Sequence, residues 1–199
     1  MPEAKFDNRN LNLPTSTGKY IKLKAKGDKI KFLIASTPHY ETKHWLSDQE
    51  AVLCEKYNSE DKMAKCQYCE AYQKNLEAAG EDKDKVKAAN KMKPQVSFYY
   101  PILNFKDNVA GIFQTTQSVH WTIVGYAEDG VDVFGCVWSV ERTEDPGNYY
   151  ATRRLDPVKL TAEQRLELEK AKTIKLSKGK LSKSVVDEVD LEGEIPPNE

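Results

Sequence analysis

The chain has 199 residues, 39% of them hydrophobic and 31% charged, which suits one domain with appendages. Its net charge of −1 conceals an acidic end: residues 184–199 carry six carboxylates and no Lys or Arg, which leaves residues 1–183 with a net charge of +5. No apolar run is long enough to cross a bilayer and the first residues, Met1 to Asp7, lack the apolar stretch of a secretory signal, so a cytoplasmic protein is expected rather than a membrane or secreted one.

Residues 1–17 are polar, with Asn, Pro, Thr and Gly, and read as a flexible N-terminal arm. From Tyr20, apolar Ile21, Leu23 and Ala25 alternate with Lys22, Lys24 and Lys26; Gly27-Asp28 turns, and residues 30–34 resume the pattern, giving two strands with a lysine-lined face. Residues 36–70 show little periodicity. Helix formers follow over residues 70–79 up to Gly80, then a charged, helical stretch to Lys93. Residues 95–105 give a strong strand signal, with Val96, Phe98, Tyr100 and Ile102 on one face and Pro101 arguing for an edge or a bend.

A turn at Lys106-Asp107-Asn108 leads to a strand over residues 109–114. Val119, Ile123 and Tyr126 then share one helical face, and Asp129-Gly130 ends that helix. Residues 131–140 read as a strand that buries Cys136, residues 141–148 as a polar turn, and residues 149–155 as a last strand. Thr161 and Gln164 have the form of a capping box opening a helix to about Lys172; a basic linker to residue 183 and an acidic, disordered tail over residues 184–199 complete the chain. This order predicts a mainly β, α+β fold over residues 18–160. It would be a five-stranded OB-fold barrel with a short helix between strands 3 and 4 and an insert at about residues 37–93.

The insert holds the densest chemistry. His44, Cys54, Cys66 and Cys69 fall within 26 residues. Zinc takes thiolate and imidazole ligands tetrahedrally, and a Cys-x2-Cys pair supplies two of them from one turn. In a reducing compartment, clustered cysteines favour metal over disulfides. Four protein ligands leave no position for water, so the reading is a structural Zn2+. His39 competes with His44 for the fourth position. An enzyme alternative reads His39, Glu41, Cys66 and Cys69 as a zinc deaminase signature, but Lys65 stands where that signature has proline and Cys54 is left without a role. His120 brings no nucleophile or base partner, so a non-enzymatic protein is expected.

Binding a single strand without sequence preference needs a basic track and aromatic platforms. Lys22, Lys24, Lys26 and Lys31 line the first strands, Tyr99 and Phe105 occupy the less core-like face of the 95–105 strand, and Arg142, Arg153 and Arg154 flank the last hairpin with Tyr149 and Tyr150. The alternative reading of the lysines is a guarded sheet edge. An acidic tail on a basic body either recruits partners or competes for the basic surface; the plain alternative is a solubilising terminus.

Taken in order, the lysine-rich strand, the His44-Trp45…Cys54…Cys66-x2-Cys69 insert, the stretch from Val96 to Pro101, Ile112 to Thr116, Val140-Glu141-Arg142 and Tyr149-Tyr150 resemble phage-encoded single-stranded DNA-binding proteins, similar to the zinc-containing helix-destabilising proteins of T-even phages. The resemblance implies an OB barrel interrupted by a zinc subdomain and single-stranded DNA bound between them, with His44, Cys54, Cys66 and Cys69 as zinc ligands. It also implies replication or recombination proteins held by the acidic tail. The function expected is coating of single-stranded DNA in phage replication, recombination or repair, within the host cytoplasm. The alternative is a zinc-bearing interaction protein for duplex DNA or RNA.

Overall fold

The computed structural model describes residues 19–46, 51–61, 63–145, 148–174 and 176. The expected arm at residues 1–17 and the acidic tail lie outside them, as does the basic linker apart from Leu176. Among the described residues there are eight strands and five helices. In chain order they are β1 (Lys19–Lys22), β2 (Lys29–Ile34), β3 (His39–Trp45), β4 (Ala51–Leu53), α1 (Glu55–Asn58), α2 (Gln67–Ala79) and α3 (Lys83–Asn90), then β5 (Gln95–Asn104), β6 (Val109–Thr116), α4 (Gln117–Glu128), β7 (Val137–Asp145), β8 (Asn148–Leu155) and α5 (Ala162–Thr173). The fold is mixed α/β around a large open sheet. No described helix is long and apolar enough to cross a membrane.

The chain divides into two compact units, one formed by the chain up to Tyr40 together with Val96–Leu176, the other by Glu41–Gln95. In the first, the strands run in the order β1-β6-β5-β2-β7-β8. β2 sits mid-sheet because its residues from Phe32 on are buried: Phe32, Leu33 and Ile34 pair antiparallel with Asn104, Leu103 and Ile102, while Lys29 to Leu33 pair antiparallel with Glu141 to Val137 on the other side. One face of the sheet gathers Ile30, Phe32, Phe113 and Trp138 with Val119 and Ile123 of α4, which packs on β6 and β8. The opposite face gathers Leu33, Leu103 and Val137 with Leu155 and with Leu168 of α5.

Several expectations are corrected. The first lysine-rich strand, expected to run from Tyr20 to Lys26, is β1 and ends at Lys22; it lies parallel to β6, with Lys19 opposite Gly111 and Lys22 opposite Gln114. The turn between β1 and β2 docks on β7. Gly27, at φ +82°, donates to the Arg142 carbonyl at 2.8 Å, and the Arg142 guanidinium donates to the Leu23 carbonyl at 3.1 Å. Asp28 closes this turn by accepting from Ala25 and Lys24 N–H, which holds its carboxyl below the ordinary value. Pro101 does not mark an edge, since β5 lies between β6 and β2. Its carbonyl accepts from Ala35 N–H just past the last β2 pair, so its missing N–H faces a side where the ladder has already stopped.

The strand expected over residues 131–140 begins only at Val137. Asp132 accepts from Phe134 N–H and its carbonyl from Gly135 N–H, forming a turn in which a Cβ on Gly135 would lie 2.6 Å from Asp132 Oδ2. β7 then runs on to Asp145 through the segment expected as a turn. Cys136 is buried as expected, and Trp138 Nε1 donates to the Val133 carbonyl at 2.9 Å. The expected capping box is formed, Thr161 Oγ1 accepting from Gln164 N–H and Gln164 Oε1 from Thr161 N–H. The region expected to lack periodicity contains β3, β4 and α1. Finally, among the described residues no ladder joins β6 to β8 and the sheet path ends at β1 and β8, so a closed five-stranded barrel is not formed.

Within the core, His120 of α4 stacks on Phe98 at 3.7 Å, and its Nδ1 lies 2.7 Å from Tyr100 Oη. Burial pushes the imidazole pKa down from 6.5 to about 4. Above pH 6.5 the ring is neutral folded or unfolded, so no stability is at stake. As the pH falls from 6.5 towards 4 only the unfolded chain takes up the proton, and stability is lost. The shift is worth at most about 3 kcal/mol, and about 2 kcal/mol after allowing for partial solvation. Urea unfolding followed by Trp138 fluorescence at pH 7 and pH 4.5 should show this loss in the wild type and a smaller one in His120→Asn; equal losses would contradict it.

Candidate metal centre

Four donors converge in the second unit. His44 Nε2 and the Sγ atoms of Cys54, Cys66 and Cys69 all lie within 4.8 Å of one another. Cys66 and Cys69 each place Sγ 3.4 Å from His44 Nε2, and Cys54 Sγ lies 3.4 Å from Cys69 Sγ, far too long for a disulfide. The group could hold a metal ion. Cys54 is the residue that opens α1 and Cys66 the one that opens α2, with Cys69 in the first turn of α2. The Cys-x2-Cys pair therefore straddles a helix start, where free N–H groups favour a thiolate.

The imidazole is oriented by its other nitrogen. His44 Nδ1 lies 2.8 Å from the Met92 carbonyl, which can only accept, so Nδ1 carries the proton and Nε2 presents its lone pair to the three sulfurs. His39 is not among the donors. On an extended strand, residues five apart point to opposite faces, so β3 brings only one of its two histidines to the cluster. Asn58 fixes Cys54 against β3: its Oδ1 accepts from Thr42 N–H at 3.0 Å, and its Nδ2 donates to the Thr42 and Cys54 carbonyls at 2.6 and 2.7 Å. Neither Asn58 nor Met92 carries a signal in the sequence, because both act through backbone groups distant along the chain.

The thiols differ in acidity. Burial and then the neighbouring Cys54 push Cys69 up to about 12, and burial pushes Cys54 up as well. Burial also opposes ionisation of Cys66, but the N–H groups of Cys69, Tyr68 and Glu55 together outweigh it and hold this thiol below its ordinary value. A cation entering the cluster would displace protons from its thiols, most readily from Cys66. Two residues apart on the same strand, Lys43 Nζ and Glu41 Oε2 form a buried ion pair at 3.0 Å. Burial lowers the ammonium pKa and Glu41 opposes that shift.

The other predicted site residues lie in the first unit. Lys22, Lys24, Lys26, Lys31, Arg153 and Arg154 are exposed. Register places Lys31 opposite Ser139 and Ser139 opposite Arg153, so Lys31 and Arg153 share one sheet face about 10 Å apart. Arg154 lies on the other face, 5.8 Å over the Tyr126 ring; Arg142, half-buried, holds the Leu23 carbonyl and lies 5.9 Å from the Tyr150 ring. Tyr149 is exposed. Tyr99 is fully buried between the rings of Tyr20 and His39, so it offers no open face. Phe105 packs against Leu33, Leu103 and Val137. Among the described residues, four exposed aromatics carry no role in the sequence reading: Tyr40, Tyr57, Trp121 and Phe134.

No family model matches the chain, and no curated protein is similar to it in sequence.

Proposed function

We propose that the protein binds single-stranded DNA, largely without sequence preference, and that its Cys3His cluster holds a structural zinc ion. The observation that carries this reading is the strand order. β6-β5-β2-β7-β8, with α4 between β6 and β7, corresponds to strands 3-2-1-4-5 of an OB barrel with its helix between strands 3 and 4, left open where strands 3 and 5 would meet. OB folds bind oligonucleotides on the face of strands 2 and 3 and with the loops between strands 1 and 2 and between strands 4 and 5. Here the metal-bearing segment occupies the first of those connections and the β7–β8 hairpin is the second. The basic row of Lys31 and Arg153 and the turn lysines supply charge for a phosphate backbone.

The zinc reading is supported by fit. A tetrahedron with Zn–S near 2.3 Å and Zn–N near 2.0 Å places sulfurs about 3.8 Å apart and sulfur and nitrogen about 3.5 Å apart. The donor separations here scatter around those values, and the His44 tautomer presents the correct nitrogen. Four protein donors leave no coordination position for water, which favours a structural over a catalytic ion. By the resemblance described above, the setting is phage DNA replication, recombination or repair, with the acidic tail meeting partner proteins.

The test is a titration of the full chain with oligo-dT and with duplex of equal length at 50 and 200 mM salt. Single strands should bind at least about tenfold tighter than duplex, and the affinity should fall steeply with salt. Equal or tighter duplex binding would replace this reading with that of a duplex-binding interaction protein.

A further inference from the structure

We infer that Trp121 and Tyr40 form a base-stacking platform; the inference rests on the single-strand reading and adds to it the place where bases are held. Trp121 is 56% exposed on α4, although its neighbours His120 and Val119 are buried. Its ring meets the edge of His120 at 5.2 Å and 65°. His120 in turn is fixed by parallel stacking on Phe98, at 9° and 3.7 Å, and by Tyr100 Oη. Tyr40, 39% exposed, packs against Phe98 at 6.1 Å. Two exposed rings are thus backed by one buried ring pair, and a base landing on either meets a surface already held in place.

The surroundings favour bases over a protein partner. A stable protein interface covers about 800 Å² on each side, whereas one aromatic side chain presents about 150–250 Å² even when fully open. Gln117, Ser118 and Thr122 beside Trp121 are exposed, polar and uncharged, so the helix surface on that side of the ring is polar. From Gln117 to Ala127, α4 has no Asp, Glu, Lys or Arg; its carboxylates, Glu128 and Asp129, begin about 10 Å further along the axis. A phosphate backbone passing Trp121 would meet no carboxylate on that part of the helix. Every base has a face that can stack, so the platform needs no sequence preference.

The experiment compares full-length wild type, Trp121→Ala, Trp121→Phe and Tyr40→Ala binding oligo-dT, by anisotropy of a labelled strand and by tryptophan fluorescence. Trp138 is buried and Trp45 half-buried, so quenching by the strand should come chiefly from Trp121 and largely vanish in Trp121→Phe, which keeps a ring and most of the affinity. Trp121→Ala should weaken binding about tenfold or more with an unchanged salt slope, because phosphate contacts are untouched, and Tyr40→Ala should weaken it to a lesser degree. Unchanged affinity in Trp121→Ala, or equal losses in Trp121→Ala and Trp121→Phe, would overturn the platform while leaving single-strand binding intact. Failure of the wild type to bind oligo-dT would instead overturn the functional reading and the platform with it.

Discussion

Removal of the metal by a strong chelator, or the substitution Cys66→Ser, is expected to unfold residues 41–95 while the sheet unit retains the buried environment of Trp138. Among the described residues of the metal-bearing unit, the buried apolar side chains are Cys54, Cys66, Ala79 and Ala89, two of them donors of the cluster. Two alanines cannot offset the ordering entropy of some fifty residues, which is about 1–2 kcal/mol per residue for the backbone alone. Coordination can supply what burial does not: zinc binding in small domains is worth about 10–16 kcal/mol near neutral pH, and much of that is folding free energy. Loss of the helical circular dichroism from α2 and α3, and rapid proteolysis between residues 41 and 95, should accompany loss of metal by mass spectrometry. His44→Ala should lose the ion and His39→Ala keep it. A chelated protein whose 41–95 segment remained helical and protease-resistant would show that the cluster does not hold the unit together.

The second large effect belongs to the sheet. Phe32→Ala should destabilise the first unit by about 3–5 kcal/mol, against a total that for most domains is about 5–15 kcal/mol. Phe32 is fully buried on the central strand, with register partners on both neighbours, Asn104 of β5 and Trp138 of β7, and its ring lies 5.2 Å from Phe113. Truncation therefore opens a cavity walled by strands on both sides, with little room for collapse. The adjacent Lys31→Ala, on the exposed side of β2, should change stability by less than about 0.5 kcal/mol. Urea midpoints of the two variants measure both; a loss below about 1 kcal/mol in Phe32→Ala would mean that the core repacks around the void.

The elements that local chemistry determines were legible in the sequence. The helix ending at Gly80, the Thr161 capping box, the Asn108 turn and the alternation of Phe98, Tyr100 and Ile102 each depend on residues within a few positions of one another. The metal donors were legible for the same reason, since three cysteines and a histidine fall within 26 residues. What depends on distant partners was not. Nothing near Lys19 indicates that β1 will lie parallel to β6 rather than against β2, and the alternation around Tyr99 cannot reveal that Tyr20 and His39 will cover it. The choice between His39 and His44 depends on β3 being extended, in a stretch without a periodic signal. Trp121 was read as part of a helix, but its exposure depends on which face α4 turns to β6 and β8.

The position of β2 bears on the order in which the molecule is made. Its partner Glu141, bound to Lys29 at 3.2 Å, lies 112 residues further along the chain, so during synthesis β2 can pair with β5 on one side but must wait for β7 on the other. The cysteine cluster needs no such wait, because its donors are complete once Cys69 has appeared and the orienting Met92 carbonyl follows soon after. Contacts of short sequence separation form early, and long-range strand pairing is slow. A chain ending at Gln95 should therefore already be able to take up its ion, while β2 remains open to chaperones or to aggregation until β5 covers one edge and the last hairpin the other.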